Sequence, residues 1–187
     1  MPISAVIHLI PEENAYLPPT MGHLAHGAFL AIIKKASPEL AESLHQEGKE
    51  KPFTVSPLQG KFEKVGERLL IRQGTDCWLR FALLRDELFH PFSCYFLESQ
   101  NIPSIILGEG KFNLTRLVTS GEGENVDKTW SGHATYEEIM DRTISSRHIA
   151  LRFYSPTAFK VRDISKGKSR NYANPDLKLC DQSWANR

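Results

Sequence analysis

Apolar positions in the first quarter of the chain change their spacing twice, and each change predicts a new element. A short β-branched run over Ala5–Ile10, stopped by Pro11, predicts a first strand. Residues 11–20 contain three prolines and are predicted to form a loop. Apolar residues then recur at three- and four-residue steps from Gly22 to about Glu47, which is the spacing of an amphipathic helix.

This helical pattern is interrupted at Ala36-Ser37-Pro38. One kinked helix and two helices in tandem are both compatible with that interruption. Ser37 is expected to cap a second helix, with Pro38 in its first turn. Glu39 would then be favourable near the positive end of that helix.

Extended patterns dominate the next part of the chain. Pro57 makes Phe53–Leu58 an edge strand or the start of a strand. Lys61–Arg72 predicts a hairpin around Gly66, and the aromatic and apolar run Cys77–Leu84 predicts a central strand. The remaining predictions are a helix with an awkward Pro91 over Arg85–Glu98, an extended stretch from Ser104 to Leu107, a strand over Phe112–Thr119, a short helix over Tyr136–Thr143, and a strand over His148–Phe153.

The resulting order, β-α-β-hairpin-β-α-β, is typical of an α+β fold of the ferredoxin-like (RRM-like) type. We therefore predict one antiparallel sheet with two helical segments on one face over residues 1–145.

The charge of the chain is unevenly distributed. Residues 1–141 contain 13 lysines and arginines against 19 acidic residues, whereas residues 142–170 contain eight basic residues and only Asp163 as an acid. This basic segment predicts a polyanionic partner, although a solvated basic loop has the same composition. Its basic residues are Arg142, Arg147, Arg152, Lys160, Arg162, Lys166, Lys168 and Arg170.

The cysteines and the amino terminus bear on the compartment. Cys77, Cys94 and Cys180 are scattered without a C-x-x-C pair, which argues against a disulfide framework and a zinc ribbon. The amino-terminal run is interrupted by His8 and lacks a basic head, so we predict no signal peptide. No apolar run approaches the length of a membrane span. We therefore predict a soluble, cytoplasmic protein with no membrane partner.

Several residues could carry chemistry. His45 closes the predicted helix and Lys51 follows on a charged loop, so that an imidazole and an ammonium lie beside the strand that starts at Phe53. Such a pair can move protons and stabilise negative charge, although a single histidine at a helix end often only interacts with the helix dipole. His23 and His26, one turn apart, are a weak candidate for a metal site, and we predict none. The chain contains no Walker loop, dinucleotide fingerprint or nucleophile elbow.

The combination of these segments resembles a known family. The helix that ends in SPELAESLH and the strand KPFTVSPL that follows it resemble the amino-terminal signature of CRISPR-associated endoribonucleases that cut repeat RNA, which are members of the RAMP superfamily. Later, Trp130-Ser131-Gly132 with Tyr136, and LRFYSPTAFK at Leu151–Lys160, resemble the segments where the second domain of that family begins. This likeness implies that residues 146–187 open a second ferredoxin-like domain that is incomplete in this chain. The apolar residues of that segment are expected to pack poorly unless they lean on the first domain or on a neighbouring chain.

The resemblance implies roles for individual residues. His45 matches the catalytic histidine, and Lys51 matches a lysine that assists in some members. A tyrosine that completes the site in some relatives would fall near Leu30, where this chain has none, so that either His26 or no residue takes its role. The implied reaction is attack of a 2′-hydroxyl on the neighbouring phosphorus, and it needs no metal or other cofactor. The basic residues from Arg142 to Arg170 are expected to bind RNA phosphates.

The resemblance also implies partners and a length. Repeat RNA is the expected partner, and subunits of a CRISPR effector complex and a second copy of the chain are further candidates. The glycine-rich loop near the carboxyl end of the family is missing here, and we expect the chain to be a fragment that ends soon after its second domain begins. The alternatives from other classes are a non-catalytic RNA-binding module and a scaffold domain without RNA affinity.

Overall fold

An antiparallel sheet around the first strand organises Met1–Thr143, one of the two units into which the chain divides; the other is Ile144–Arg187. The computed structural model describes residues 1–46, 51–98, 102–121, 126–144, 159–163 and 168–172, the last two ranges as backbone only. The elements of the first unit, in chain order, are β1 (Ile3–Pro11), β2 (Ala15–Leu17), α1 (Gly22–Ala36), α2 (Pro38–His45), β3 (Phe53–Val55), β4 (Gln59–Gly60), β5 (Glu63–Val65), β6 (Arg68–Ile71), β7 (Cys77–Leu83), a 3-10 helix (Asp86–Leu88), α3 (Phe89–Leu97), β8 (Ser104–Leu107), β9 (Gly110–Val118), α4 (Val126–Trp130), β10 (Gly132–His133) and α5 (Tyr136–Asp141).

The predicted ferredoxin-like topology is confirmed. The main sheet has the strand order β3-β7-β1-β9-β8, with β4 added to β7 and β10 added to β1. Every pair in this sheet is antiparallel. β1 and β7 are therefore the central strands, flanked by β3 on one side and β9 on the other, as in a β-α-β-β-α-β fold. The strand β8 extends the sheet beyond β9.

Both helical segments lie on one face of the sheet, as predicted. Phe29 of α1 stacks on Phe53 of β3 with a centroid distance of 4.2 Å and contacts Phe81 of β7 at 5.3 Å. Phe92 of α3 reaches the same place, 6.0 Å from Phe81 and 6.4 Å from Phe29. This aromatic group belongs to a single buried core, so that α1 and α3 share one side of the sheet.

The interruption at Ser37 separates two helices in tandem. Pro38 occupies the first turn of α2, where its missing N–H costs nothing. The expected side-chain cap does not form: the Ser37 hydroxyl accepts no hydrogen bond from a backbone N–H of α2. Instead the Ser37 N–H donates to the Ile33 carbonyl at 2.8 Å, which ends α1 while α2 begins.

Two strand predictions are wrong in detail. The proline-rich segment 11–20, predicted to be a loop, contains β2, which pairs with β6 in a separate three-stranded sheet of order β2-β6-β5. Residues 53–58 form β3 only as far as Val55, because Pro57 has no N–H for a ladder bond, and pairing with β7 resumes at Gln59. The hairpin around Gly66 is confirmed, with that glycine at φ +61°.

The carboxyl-terminal part of the first unit adds short elements. The predicted helix at Tyr136 is confirmed as α5, which ends at Asp141 and starts with a capping box between Thr135 and Glu138. The helix α4 and the strand β10 precede it and were not expected from the sequence. Among the described residues, no helix is long and apolar enough to cross a membrane.

In the second unit the structure describes an antiparallel hairpin. It is formed by β11 (Phe159–Asp163) and β12 (Lys168–Tyr172), in which Val161 pairs with Arg170 and Arg162 with Ser169. The strand predicted over His148–Phe153 lies outside the described residues.

Candidate functional site

His26 lies in the second turn of α1, on the side that faces the edge strand β3. Its ring is half-buried and packs 5.3 Å from the ring of Phe53, the first residue of that strand. The stacking of Phe53 on Phe29 holds this contact in place from the core side. The position of His26 therefore depends on the packing of α1 against β3.

Lys51 lies immediately before β3 and contacts the end of α2. Its Nζ donates to the carbonyl of Leu44 and, at 2.8 Å, to the carbonyl of Gln46. These carbonyls are among the groups that a helix leaves without intrahelical partners at its C-terminus, where a cation is favourable. An ammonium has three N–H donors, so two of these bonds fix the group and, within the described part of the chain, one donor remains for a ligand.

His45 is the last residue of α2, and its side chain is exposed. It follows Leu44, whose side chain is buried in the core and whose carbonyl accepts from Lys51. The imidazole is thus attached to an anchored turn while its ring remains exposed to solvent.

Electrostatics link these three residues. Burial lowers the pKa of His26 below its ordinary value of 6.5, and the charges of Lys51 and His45 lower it further. Both neighbours are close enough to disfavour the imidazolium form of His26. The structure therefore brings His26, His45 and Lys51 into one cluster, which we call the His26–Lys51 cluster.

Leu30 lies near the position where the resemblance implies a tyrosine. It lies one helical turn after His26, and its partly buried side chain packs against the core. On the side of α1 that faces β3, His26 is thus the side chain that can accept or donate a proton.

The predicted RNA-binding residues are distributed over both units. Arg142 follows α5 and is exposed. Lys160 and Arg162 belong to β11, and Lys168 and Arg170 belong to β12, so that four of the eight lie in one hairpin. Arg147, Arg152 and Lys166 lie outside the described residues.

The sheet face opposite the helices carries a cluster that was not predicted. His8 of β1 pairs across the sheet with Trp78 of β7 and with Arg116 of β9. Asp127 of α4 is 2% exposed and lies against this row, with its Oδ1 2.6 Å from His8 Nε2 and its Oδ2 accepting from Arg116 at 2.7 Å. A buried carboxylate thus attaches α4 to the sheet.

A cavity of about 350 Å³ lies next to this cluster on the same face. Ser4 of β1, Arg80 and Ala82 of β7, and Trp130 of α4 are among its lining residues. Arg80 Nε donates to Ser4 Oγ at 2.7 Å and to the Trp130 carbonyl at 3.1 Å, and its guanidinium carbon lies 5.4 Å from the centre of the Trp130 ring. The signal in the sequence is Arg80, a charged residue within the otherwise apolar run Cys77–Leu83, on the face that Trp78 and Ala82 share.

The described cysteines are poorly suited to nucleophilic chemistry. Burial raises the pKa of the Cys77 thiol to about 11, with a further contribution from Asp76. A hydrogen bond to Glu98 raises the pKa of the Cys94 thiol. Among the described residues there is also no group of three or more His, Cys, Asp or Glu side chains that could hold a metal ion.

Comparison with protein families gives one match. The family model described as the CRISPR Cas6 N-terminal domain matches residues 1–141. No curated protein matches the sequence significantly.

Solved structures provide further matches. A Cas6 from Thermus thermophilus in its product complex is 31% identical with a TM-score of 0.64, and the match covers 94% of this chain and 60% of that chain. A second Cas6 in its product complex is 26% identical with a TM-score of 0.59, and the match covers 94% and 58%. This chain therefore spans about 60% of the length of the solved Cas6 proteins that it resembles. A RAMP protein described as binding different RNA substrates shares the fold, at 13% identity and a TM-score of 0.59 over 97% of this chain and 66% of that one.

Proposed function

The chain belongs to the CRISPR Cas6 family by its residues 1–141, and we propose on this basis that the full-length protein is an endoribonuclease that cleaves CRISPR repeat RNA during crRNA maturation. The observation that supports catalysis best is the convergence of His26, His45 and Lys51 at the ends of α1, α2 and β3. Similarity to Cas6 proteins in product complexes supports repeat RNA as the substrate.

The proposed reaction is an internal transesterification of RNA. The 2′-oxygen attacks the adjacent phosphorus while the bond from phosphorus to the 5′-oxygen breaks, which gives a 2′,3′-cyclic phosphate and a free 5′-hydroxyl. One proton leaves the 2′-hydroxyl and one is delivered to the departing 5′-oxygen, so the site needs a base, an acid and a donor to the phosphoryl oxygens. All three needs are met by side chains of this chain, and the proposal requires no metal.

His26 is suited to the role of base. Burial and two basic neighbours keep its imidazole neutral near pH 7, and only the neutral form accepts a proton. The resemblance gives a place in the site to a tyrosine near Leu30, and His26 lies one turn earlier on the same helix.

His45 is then the second proton-transfer group. It is exposed at the end of α2, where an RNA backbone can approach it. Lys51, held on two carbonyls, directs its remaining donor at the phosphoryl oxygens. Because both bonds run to the last turn of α2, Lys51 also holds that turn, and with it His45, against the start of β3.

Binding is proposed to come mainly from basic residues outside this cluster. Lys160, Arg162, Lys168 and Arg170 of the hairpin, with Arg142, would neutralise phosphates and position the RNA without reading its sequence. The proposal includes residues 146–187 as the beginning of a second ferredoxin-like domain, which the division of the chain near residue 144 supports.

A non-catalytic RNA-binding subunit of a CRISPR complex is the second candidate. It is favoured by the lack of a tyrosine near Leu30, an apolar residue, and by the structural bonds of Lys51 to the end of α2. In that case the protein would bind repeat RNA and leave it intact, and effector subunits or a second copy of the chain would be its partners.

The test is incubation of the full-length protein with a CRISPR repeat RNA in excess EDTA, followed by a denaturing gel. We expect one cut, with a cyclic phosphate on the upstream product and a 5′-hydroxyl on the downstream product. A 2′-deoxy substitution at the cut site should abolish cleavage and leave binding unchanged. Binding without cleavage would favour the second candidate, and absence of both would refute the proposed function.

A further inference from the structure

The cavity beside Arg80 lies on the sheet face opposite the His26–Lys51 cluster. We infer that it is a binding site for one unpaired nucleotide of RNA. The base of this nucleotide enters the cavity, and its acceptor atoms receive hydrogen bonds from the terminal N–H groups of Arg80. This inference rests on the proposed function, because it assumes that RNA is the ligand.

The environment of Arg80 is unusual among the described arginines. Arg68, Arg72, Arg85 and Arg116 each pair with a carboxylate, and Arg142 is exposed to solvent. Arg80 is half-buried, and within the described residues its side chain contacts only neutral groups, the Ser4 hydroxyl and the Trp130 carbonyl and ring. A partly desolvated cation without a counter-charge is costly, and an anionic or carbonyl-bearing ligand would offset that cost.

The hydrogen bonds of Arg80 also leave donors for a ligand. Both of its side-chain bonds within the described part of the chain use Nε. The two terminal nitrogens can therefore donate in a fork, which is the geometry that matches phosphate oxygens and the acceptor edge of a base.

The remaining lining residues suit a base rather than a free ion. Ile3, Ala82, Leu84 and Ile139 make part of the wall apolar, and none of the described residues that line the cavity carries a carboxylate. The volume of about 350 Å³ falls in the range of small-ligand sites. The half-buried Trp130 also lines the cavity, with Arg80 and Trp78 against its ring.

The register of the sheet places this cavity close to the catalytic end of β3. Thr54 pairs with Ala82, and Ala82 pairs with Ser4, so that the cavity lies one residue along the ladder from the Phe53–Leu83 pair. Phe53 contacts His26 on the opposite face. Because β3 is the edge strand of the sheet among the described residues, we expect RNA that passes around this edge to meet both sites.

The experiment uses a single-stranded oligouridylate that contains 5-iodouridine. After irradiation of its complex with the full-length protein, peptide mapping should find cross-links at Trp130 or His133, which line the cavity. Uridine 5′-monophosphate should suppress these cross-links at a concentration at which inorganic phosphate does not. Equal suppression by phosphate, or cross-links confined to other segments, would overturn the inference.

Variants make the test quantitative. Arg80→Gln and Ala82→Leu, which fills the cavity, should each lower the affinity for the oligouridylate by about fivefold or more, as measured by fluorescence anisotropy. Arg72→Gln is the matched control, because it removes one positive charge from the separate small sheet and should change affinity less than about twofold. Far-UV circular dichroism identifies the variants that are folded. If Ala82→Leu does not fold, the affinity of Arg80→Gln alone tests the inference.

The result separates this inference from the proposed function. If the wild-type protein binds and cleaves repeat RNA while folded Arg80→Gln binds with unchanged affinity, the cavity inference is wrong and the endoribonuclease proposal stands. If the wild-type protein has no affinity for RNA, both are wrong.

Discussion

At the scale of single residues, the environment of His26 is the most informative feature of the molecule. One side of its imidazole packs on Phe53, and positive charges of Lys51 and His45 act on it as well. Both effects favour the neutral ring. An imidazole that stays neutral next to a lysine is suited to accept a proton, which is the role that we propose for it.

The first prediction concerns the pKa of His26. Replacement of Lys51 by Gln should raise this pKa toward 6.5, because the charge of Lys51 is one cause of the lowered value. Burial, the largest cause, should keep the pKa below 6.5. An NMR titration of the histidine ring protons measures the shift. Lys35→Gln is the control, because Lys35 packs on Tyr95 and is not among the causes. An unchanged His26 titration in Lys51→Gln would show that the two residues are not coupled.

The same lowered pKa makes stability depend on pH. Since His26 loses its proton more readily in the folded state, the unfolded chain binds more protons below pH 6.5. The contribution of His26 to the free energy of unfolding is therefore complete above pH 6.5 and is lost as the pH falls toward the lowered value.

His26→Gln should accordingly reduce the loss of stability on acidification below pH 6.5. Urea unfolding of wild type and variant at several pH values measures this difference, and His23→Gln, an exposed histidine one turn earlier, should leave the slope unchanged. Identical slopes for wild type and His26→Gln would contradict the assignment.

The sequence predicted part of this site. The order of a helix end, a charged loop and a strand start placed His45 and Lys51 near Phe53, because these residues are close in the chain. The contact of His26 with Phe53 could not be predicted from spacing, since it depends on how α1 packs on β3. Arg80 was missed for the same reason, because its partners Ser4 and Trp130 are distant in sequence.

At the scale of elements, one buried carboxylate contributes to the attachment of α4 to the sheet, beside the bonds that the Trp130 carbonyl accepts from Ser4 and Arg80. Asp127 is 2% exposed and binds His8 of β1 and Arg116 of β9. The same helix contributes Trp130 to the wall of the cavity. The stability of α4 and the shape of the cavity are therefore linked.

Asp127→Ala should lower the free energy of unfolding by about 1–3 kcal/mol, because a buried hydrogen-bonded group is lost and its partners remain. Asp141→Ala is the control, since Asp141 is exposed at the end of α5 and should change stability by less than about 0.5 kcal/mol. Urea unfolding measures both. Equal effects of the two substitutions would show that Asp127 does not stabilise the fold.

Elements with a strong local pattern were predicted well from the sequence, and elements that depend on distant partners were not. The run of β1 and the periodicity of α1 specified their types, and the two breakers Ser37 and Pro38 marked the helix boundary. The three residues of β2 form a strand only because β6 lies beside them. The five residues of α4 are too few to show a helical period, and Asp127 gives no sign in the sequence of being buried.

At the scale of the whole molecule, charge is separated along the chain. Residues 1–141 carry more acids than bases, whereas eight of the basic residues are concentrated in 142–170. The proposed catalytic groups lie in the first part and most of the proposed phosphate contacts in the second. Chemistry and affinity should therefore respond to different substitutions.

Lys160→Glu with Arg162→Glu in β11 should weaken binding of all RNA sequences alike and make the salt dependence of the affinity shallower. Each lost phosphate contact is expected to reduce the slope of log K against log salt by about one or slightly less. The control is Lys61→Glu with Lys64→Glu, which makes the same charge change near the small sheet. Equal losses for the two double variants would mean that only net charge matters.

The central claim is that His45 takes part in chemistry, and the most direct test is single-turnover cleavage of repeat RNA at saturating full-length protein in EDTA. We predict that His45→Ala lowers the rate about a hundredfold to ten-thousandfold while RNA affinity stays within about twofold, and that the exposed His90→Ala of α3 changes neither. If His45 only stabilises the end of α2, its loss would cost at most about 1 kcal/mol of stability. Equal cleavage rates for folded His45→Ala and wild type would contradict the claim.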